Sequence, residues 1–278
     1  MRIRQLHIYP VKSLGGIALN EARLTTEGLA WDRRWMVVDD VGRFVTQRQR
    51  PRMAQVRAHL EENTLVLTHP ATKPLRVSLV GEGQARLSAY VWQDRCDALD
   101  EGSEARSWLS RVLGDLRGSG LRLVRFDAHQ RRRVEPDFLS AGEQAHTGFA
   151  DGYPFLVTTG ASLSALNLAL EARGGEALPM NRFRPNIVIE GTQPFAEDGW
   201  REIGGDDWRL GLRKPCQRCG ITSVDQQSGE IRHPGEPLKT LMALKPRLSW
   251  KGAFFGQNAI LLSGEGKTIA VGDPLSVG

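Results

Sequence analysis

Cysteine is scarce in this sequence: three residues in 278, with Cys216 and Cys219 close together and Cys96 far upstream. Three thiols, one of them distant, cannot build the disulfide framework of a small secreted protein. Long apolar runs are missing as well. Residues 1–13 contain no stretch that suits a secretory leader, and nothing later approaches the roughly 20 apolar residues of a membrane span. The expectation is a cytoplasmic protein with reduced thiols and no membrane span. Aromatic residues make up only 7% of the chain and its basic residues form no stripe, which argues against a nucleic-acid partner.

What is present is ordinary for a globular protein. Hydrophobic residues at 40% and charged residues at 25% exclude disorder, and the length suits one large domain or two smaller ones. The formal charge of +5 and the pI of about 9.4 favour anionic partners, phosphate groups or an acidic protein surface among them. The densest basic run, Arg131-Arg132-Arg133, reads as a solvated loop.

The patterning predicts a mixed, β-dominated (α+β) fold. Short alternating or β-branched runs at residues 2–9, 18–24, 34–38, 64–68 and 75–79 are punctuated by Gly15-Gly16, Gly28, Gly42, Asn63 and Pro74. A helix is expected over 103–112, capped by Ser103, with Trp108, Leu109, Val112 and Leu113 on one face and Gly114 closing it. After a glycine-rich stretch come a strand at 121–126 and a second helix over 162–173, with Leu163, Leu166 and Leu170 on one face and Gly174-Gly175 at its end. Further strands are expected at 186–190, 208–212, 221–224, 259–262 and 268–271. The division expected is a barrel-like unit over 1–118 and a second β-rich unit carrying a few helices over 119–278.

Chemistry concentrates at Lys214-Pro215-Cys216-Gln217-Arg218-Cys219. Thiolates are soft ligands for zinc, copper(I), iron–sulfur clusters or other redox metals, and Arg213, Lys214 and Arg218 stand beside them in sequence. Cys-x-x-Cys is half of a structural zinc site, yet no second pair exists and only His233 lies nearby. An iron–sulfur cluster needs four cysteines. A thioredoxin-type motif opens a helix after a strand, which this approach does not resemble. A site that takes one thiolate, with another group completing the metal shell, remains.

Four other constellations have a bland reading beside the functional one. Lys12-Ser13 before Gly15-Gly16 resembles a phosphate cradle, although a strand turn with a surface lysine is commoner. Arg33, next to Asp32 and between Trp31 and Trp35, is either a fixed anion-binding guanidinium or a structural stacking cluster. Asn181-Arg182-Phe183-Arg184-Pro185-Asn186 presents forks suited to phosphate oxygens and heterocycle edges. Asp151 at a Gly-Tyr-Pro turn offers a carboxylate where capping is the usual role. Taken together they read as scattered groups for one phosphorylated, heterocyclic, metal-bearing ligand.

The order of these motifs resembles a known family. Lys12-Ser13, the stretch at 28–54, the 183–189 segment, Cys216-x-Arg218-Cys219-x-x-Thr222-x-Val224-Asp225, the 255–258 segment and the closing Gly272-Asp273-Pro274 are similar to the MOSC-domain proteins. Within them the chain resembles the branch that reduces N-hydroxylated compounds. The resemblance implies an N-terminal β-barrel-like domain joined to a MOSC domain, with the molybdenum cofactor (Mo-molybdopterin) between them. It implies Cys219 as the protein ligand to molybdenum, and Lys12, Ser13, Arg33, Arg184, Asn186, Gln217 and Arg218 as contacts of the pterin phosphate. Gln217 stands where relatives often carry a small hydroxyl residue. Asp151 becomes the carboxylate near the open side of the metal, followed here by Gly152 where some relatives have threonine. The chain runs only a few residues past Pro274 and holds no cysteine cluster, so electrons are expected from a separate protein of ferredoxin, flavodoxin or cytochrome type, acidic in charge, with its reductase. The substrate implied is a small N-oxygenated molecule. Two alternatives stand beside this: a non-catalytic protein that binds or delivers the cofactor, and a zinc-stabilised nucleic-acid binder.

Overall fold

The computed structural model describes residues 1–81, 83–244 and 250–278. The chain opens with β1 (Arg2–Ile8), β2 (Ile17–Leu19), β3 (Glu21–Thr25), β4 (Gly28–Leu29) and β5 (Trp35–Val38). A meander of β6 (Arg57–Glu61), β7 (Thr64–His69) and β8 (Thr72–Ser78) follows, then the hairpin of β9 (Arg86–Val91) and β10 (Asp94–Asp100), helix α1 (Gly102–Leu113) and β11 (Arg122–Phe126). Two short strands, β12 (Arg132–Arg133) and β13 (His146–Thr147), lead to β14 (Phe155–Thr159), α2 (Gly160–Glu171) and β15 (Ile187–Glu190). The remainder comprises β16 (Glu202–Gly204), β17 (Arg209–Gln217), α3 (Leu238–Leu244), β18 (Phe254–Ser263), β19 (Thr268–Ala270) and β20 (Ser276–Val277). The fold is β-dominated, as the patterning predicts.

An eight-stranded sheet in the order β2-β1-β15-β14-β18-β17-β16-β20 forms the larger layer. Its one parallel pair, β14 with β15, is bridged by α2, as a parallel connection requires. A four-stranded sheet, β5-β11-β10-β9, and the β6-β7-β8 meander form the second body. Strands β5 and β11 are buried on both faces. Trp35, Val37 and Leu123 point to a core shared with α1 and the meander, while Met36, Val38, Val124 and Phe126 point the other way. The pairing is not partitioned at residue 118: β11 completes the sheet of β5 and β10, and β1 lies between β2 and β15.

Helix α1 buries Ala105, Trp108, Leu109, Val112 and Leu113, a stripe at helical spacing, at about 2 kcal/mol for each large side chain. Gly114 closes it with a left-handed φ of 67°, as expected. Ser103 does not cap it. The helix starts at Gly102 after Glu101, whose carboxylate is drawn inward to Trp35 Nε1 (2.6 Å) and Arg125 Nε (2.8 Å). Helix α2 likewise begins earlier than expected, because Thr159 Oγ1 accepts from Ser162 N (3.1 Å) and supplies the N-cap. The strand expected at 18–24 divides at Asn20 between the large sheet and the β19-β3-β4 sheet. The strand expected at 221–224 is a 3₁₀ turn over Gly220–Ser223, where Thr222 returns both its N–H (3.1 Å) and its hydroxyl (2.9 Å) to Cys219 O.

Candidate functional site

A cleft of about 430 Å³ collects residues from Lys12 to Asn258, a size suited to a small-molecule ligand. Every site residue expected from the sequence lines it: Lys12, Ser13, Arg33, Asp151, Arg184, Asn186, Gln217, Arg218 and Cys219.

Its floor comes from the chain after β1 lying along the chain before β5. Arg33 N donates to Tyr9 O (2.9 Å), Trp35 N to Pro10 O (2.9 Å) and Lys12 N to Trp35 O (2.8 Å). Asp32 fastens the start of this pairing by accepting from Tyr9 N (2.7 Å), and its other oxygen ion-pairs with Arg33. Arg33 also donates to Asn186 Oδ1 (3.2 Å) and Arg184 O (3.1 Å). Asn186 is committed to the fold: its oxygen takes Leu156 N (3.1 Å) besides Arg33, and its amide donates to His7 O (3.2 Å). Tyr9 lies beneath two guanidiniums, Arg33 at 4.5 Å and Arg184 at 4.1 Å from the ring centre. Burial pushes the Tyr9 phenol up to about 12. The glycine pair does not form a phosphate cradle. A Cβ on Gly15 would come within 2.8 Å of Val56 O and one on Gly16 would overlap the Tyr9 ring, so both are needed for packing behind the floor.

Strain gathers here. Among the described residues seven that are not glycine have positive φ, and Ser13 (66°), Arg33 (48°), Trp92 (56°) and Arg184 (55°) line this cleft. Each conformation costs on the order of 1–2 kcal/mol, and such residues persist where surrounding structure holds them.

The cleft is strongly cationic. Lys12, Arg33 and Lys214 have carboxylate partners in Asp151, Asp32 and Glu135. Among the described residues, Arg48, Arg184 and Arg218 have none. Arg184 NH1 donates to Leu14 O (2.7 Å), but its NH2 is buried without a partner, and burial pushes the guanidinium down to about 10. Arg218 NH2 donates to Phe183 O (2.6 Å), while its Nε is likewise orphaned. Buried donors left open cost stability unless something completes them.

The two neighbouring cysteines differ. Strand β17 carries Pro215, which has no N–H, past a register shift against β18, and Arg218 N then fastens to Ala253 O (2.8 Å). Cys216 Sγ receives Arg218 NH1 at 2.8 Å. Cys219, past the end of the strand, is the residue just before the 3₁₀ turn, and its Sγ has no hydrogen-bond partner among the described residues. Arg213 and Lys214 turn away to Glu143 (2.8 Å from Arg213 Nε) and Glu135 (2.6 Å). No cluster of three His, Cys, Asp or Glu side chains stands ready for a metal ion among the described residues, so Cys-x-x-Cys is not half of a protein-only zinc site. Cys96 points from β10 into the core beside Met36, Val38 and Val124, where burial raises its thiol to about 11.

Asp151 stands at the mouth with its side chain 69% exposed. Oδ1 accepts from Lys12 Nζ (2.7 Å) and Trp92 Nε1 (3.3 Å), and Lys12 also donates to Phe149 O (2.8 Å). The cleft walls by themselves raise the Asp151 pKa. The Lys12 charge and hydrogen bond, with Arg33 and Arg48 behind, override this and hold it well below the usual carboxylate range. Lys12 shifts downward because of its burial, with Asp151 opposing.

Three contributors lie outside the expected set. Arg132 is buried and is not the solvated residue its run suggests. It ion-pairs with Asp94 (2.6 Å) and binds the carbonyls of Gly148, Ala150 and Asp151, fixing the loop that carries the carboxylate. Its neighbours Arg131 and Arg133 are exposed as expected. Arg48 and Trp92 line the cleft beside Asp151, with the guanidinium 4.7 Å from the indole. Alternation of small apolar residues, Ala89, Val91, Cys96 and Ala98, is the sequence signal for the hairpin that presents Trp92.

A cleft with orphaned guanidinium donors, one uncommitted thiol and more cations than carboxylates fits an anionic, phosphate-bearing group that carries a metal. The chain also matches known proteins. Residues 1–116 match the MOSC N-terminal beta barrel domain and residues 144–276 the MOSC domain. The chain is 35% identical to mitochondrial amidoxime-reducing component 1 of Mus musculus over 98% of its own length and 81% of that protein. It is 34% identical to the Homo sapiens counterpart over 98% and 82% of the two chains. With Homo sapiens mitochondrial amidoxime reducing component 2 the identity is 31%, over 87% and 72%.

Proposed function

The chain belongs to the MOSC family, alongside the amidoxime-reducing components, and from that premise we propose that it is a molybdenum-cofactor-dependent reductase of N-hydroxylated compounds. The observation that carries this reading is the partner-free Cys219 thiol lining the same cleft as the orphaned donors of Arg184 and Arg218. Cys219 is the metal ligand. Arg184 and Arg218 close their open N–H groups on phosphate oxygens, and Asn186 and Asp32 hold Arg33 in line with them. Ser13 and Gln217 complete the rim. When bound, the cofactor supplies the two electrons that break the N–O bond, leaving the reduced nitrogen compound and water.

Asp151 acts as an acceptor. Its depressed pKa keeps it ionised at neutral pH, so it orients a substrate N–H through the oxygen that Lys12 and Trp92 leave free. Lys12, a cation held against the carboxylate, positions it, and the two protons that the reaction consumes come from solvent.

The electrons come, in this reading, from a separate acidic ferredoxin, flavodoxin or cytochrome with its reductase, drawn to a chain of net charge +5. A reducing compartment keeps Cys219 available, and the cytoplasm is our proposal for it. Among the described residues no helix is long and apolar enough to cross a membrane.

The test is metal content of protein made in a host that synthesises the cofactor, beside Cys219→Ala. Molybdenum near one atom per chain, with N-hydroxylated substrate reduced by wild type and not by the variant, supports the reading. Zinc in place of molybdenum overturns it. Molybdenum without turnover under any reductant would mark a cofactor carrier instead.

A further inference from the structure

We propose that a second pocket, between the end of α2 and the start of α3, binds a compact anion and braces the turn that follows Cys219. The pocket shares no lining residue with the main cleft, so its occupancy stands independently of the reductase reading.

The pocket measures about 130 Å³ and is lined by Leu170 and Leu178 together with Arg173, Arg182, Arg232 and Thr240. A cavity of roughly 150 Å³ holds a benzene-sized molecule, so the ligand has about five or six non-hydrogen atoms. Two polar atoms of the lining residues are buried and without a partner among the described residues. Arg182 is 8% exposed and directs NH1 to Ser223 O (2.9 Å) and NH2 to Asp225 Oδ2 (2.8 Å), which leaves Nε with no acceptor. Thr240 is 1% exposed and its hydroxyl is unpaired. A helical threonine often returns its hydroxyl to the carbonyl four residues earlier, but here that carbonyl, Glu236 O, takes the Ser223 hydroxyl.

The nearby carboxylates do not complete these donors. Glu236 Oε2 accepts from Thr240 N (3.1 Å), and Glu176 faces Arg232 (3.8 Å). Arg173 has no carboxylate partner among the described residues. A guanidinium N–H, a hydroxyl and a spare arginine around so small a volume suit one charged group of oxygen atoms, a short carboxylate or inorganic phosphate. Leu170 and Leu178 favour the carboxylate, because phosphate has no apolar part to bury against them.

Arg182 links the pocket to the main cleft. It ties the 3₁₀ turn Met180–Arg182 to the turn Gly220–Ser223; Arg184 follows the first and Cys219 precedes the second. An anion that completes Nε fixes the guanidinium and, through it, the Ser223 carbonyl, so the chain after Cys219 opens less often.

The test is calorimetric titration of the wild-type protein, with its cofactor, by propionate and by inorganic phosphate at constant ionic strength. One saturable site is expected. It should weaken about tenfold in Thr240→Val, which removes only the unpaired hydroxyl, and in Arg173→Ala, which alters an exposed side chain. Amide hydrogen exchange over residues 219–225 should slow several-fold at saturating ligand. Tighter binding of propionate assigns a carboxylate; tighter binding of phosphate supports the anion site and overturns the carboxylate preference. No saturable binding of either ion, or binding that both variants leave unchanged, overturns the inference. Binding that leaves exchange over 219–225 unaltered overturns the brace.

Discussion

Arg125 and Arg184 are buried alike, 7% and 8% exposed, and each lies over an aromatic ring, Trp35 at 5.0 Å and Tyr9 at 4.1 Å. Their partners differ. Arg125 donates to the Glu101 carboxylate and to the carbonyls of Leu79 and Ser78, so every edge of its fork is satisfied inside the protein. Arg184 has one carbonyl, no carboxylate and an orphaned NH2. The first is a closed joint between the β5 sheet and the chain after β8. The second is an open one, held in a left-handed backbone conformation at the wall of a cleft. A buried arginine therefore reports function through what it leaves unpaired, not through burial itself.

Substitution should separate the two most sharply. Arg125→Met strands the buried Glu101 carboxylate and should cost about 3–5 kcal/mol of stability, read from urea unfolding of cofactor-free protein. Arg184→Met should cost no more than about 1 kcal/mol in the same assay, yet leave molybdenum occupancy well below wild type. Equal destabilisation would break the comparison.

Asp151→Asn tests the open side next, because it leaves the buried Lys12 ammonium without its counter-charge. We expect kcat/KM to fall about a hundredfold. The folded carboxyl is depressed, so the native state binds fewer protons than the unfolded one over the ordinary carboxylate range. Its stabilising contribution is complete above pH of about 4 and is lost as pH falls further. The urea midpoint of wild type should accordingly exceed that of Asp151→Asn at pH 7 and converge on it as the medium becomes strongly acid.

Smaller effects sharpen the same contrast. Trp92→Gly relieves a left-handed tryptophan and should add about 1 kcal/mol, or roughly 2–4 °C in Tm. Raising salt should slow reduction by the donor several-fold under donor-limited conditions, since exposed charges are screened. Occupancy of the cleft, held by buried guanidiniums, should barely change.

Much of the site was legible because its parts are local. Cys-x-x-Cys, Lys12-Ser13 and the forks of Arg184 and Asn186 are short strings whose side chains announce their chemistry, and all of them line the cleft. The fate of the donors was not legible. Nothing near Lys214 in sequence signals that Glu135 will pair with it, and nothing near Trp92 signals Asp151. Among secondary elements, α1 and α2 were visible from their apolar stripes. Strands β9 and β10 give only a weak signal because small and polar residues carry their alternation, and the 221–224 run reads as a strand because Ile221, Thr222 and Val224 favour one.

The position of β1 has a consequence in time. The first strand of the chain ends up between β2 and β15, with Arg2 opposite Glu190 and Leu6 opposite Ile187. A ribosome must deliver residue 190 before that place exists, on the order of ten seconds or more after the strand emerges at typical rates of synthesis. Through that interval Ile3, Leu6 and Ile8 lack the neighbour that will bury them, so a nascent chain depends on chaperones or on fast completion. Tyr9 and Lys12, one turn beyond the strand, cannot take their stations until then. Loading of any prosthetic group must be among the last events of this protein's maturation, and a truncated translation product has nowhere to receive one.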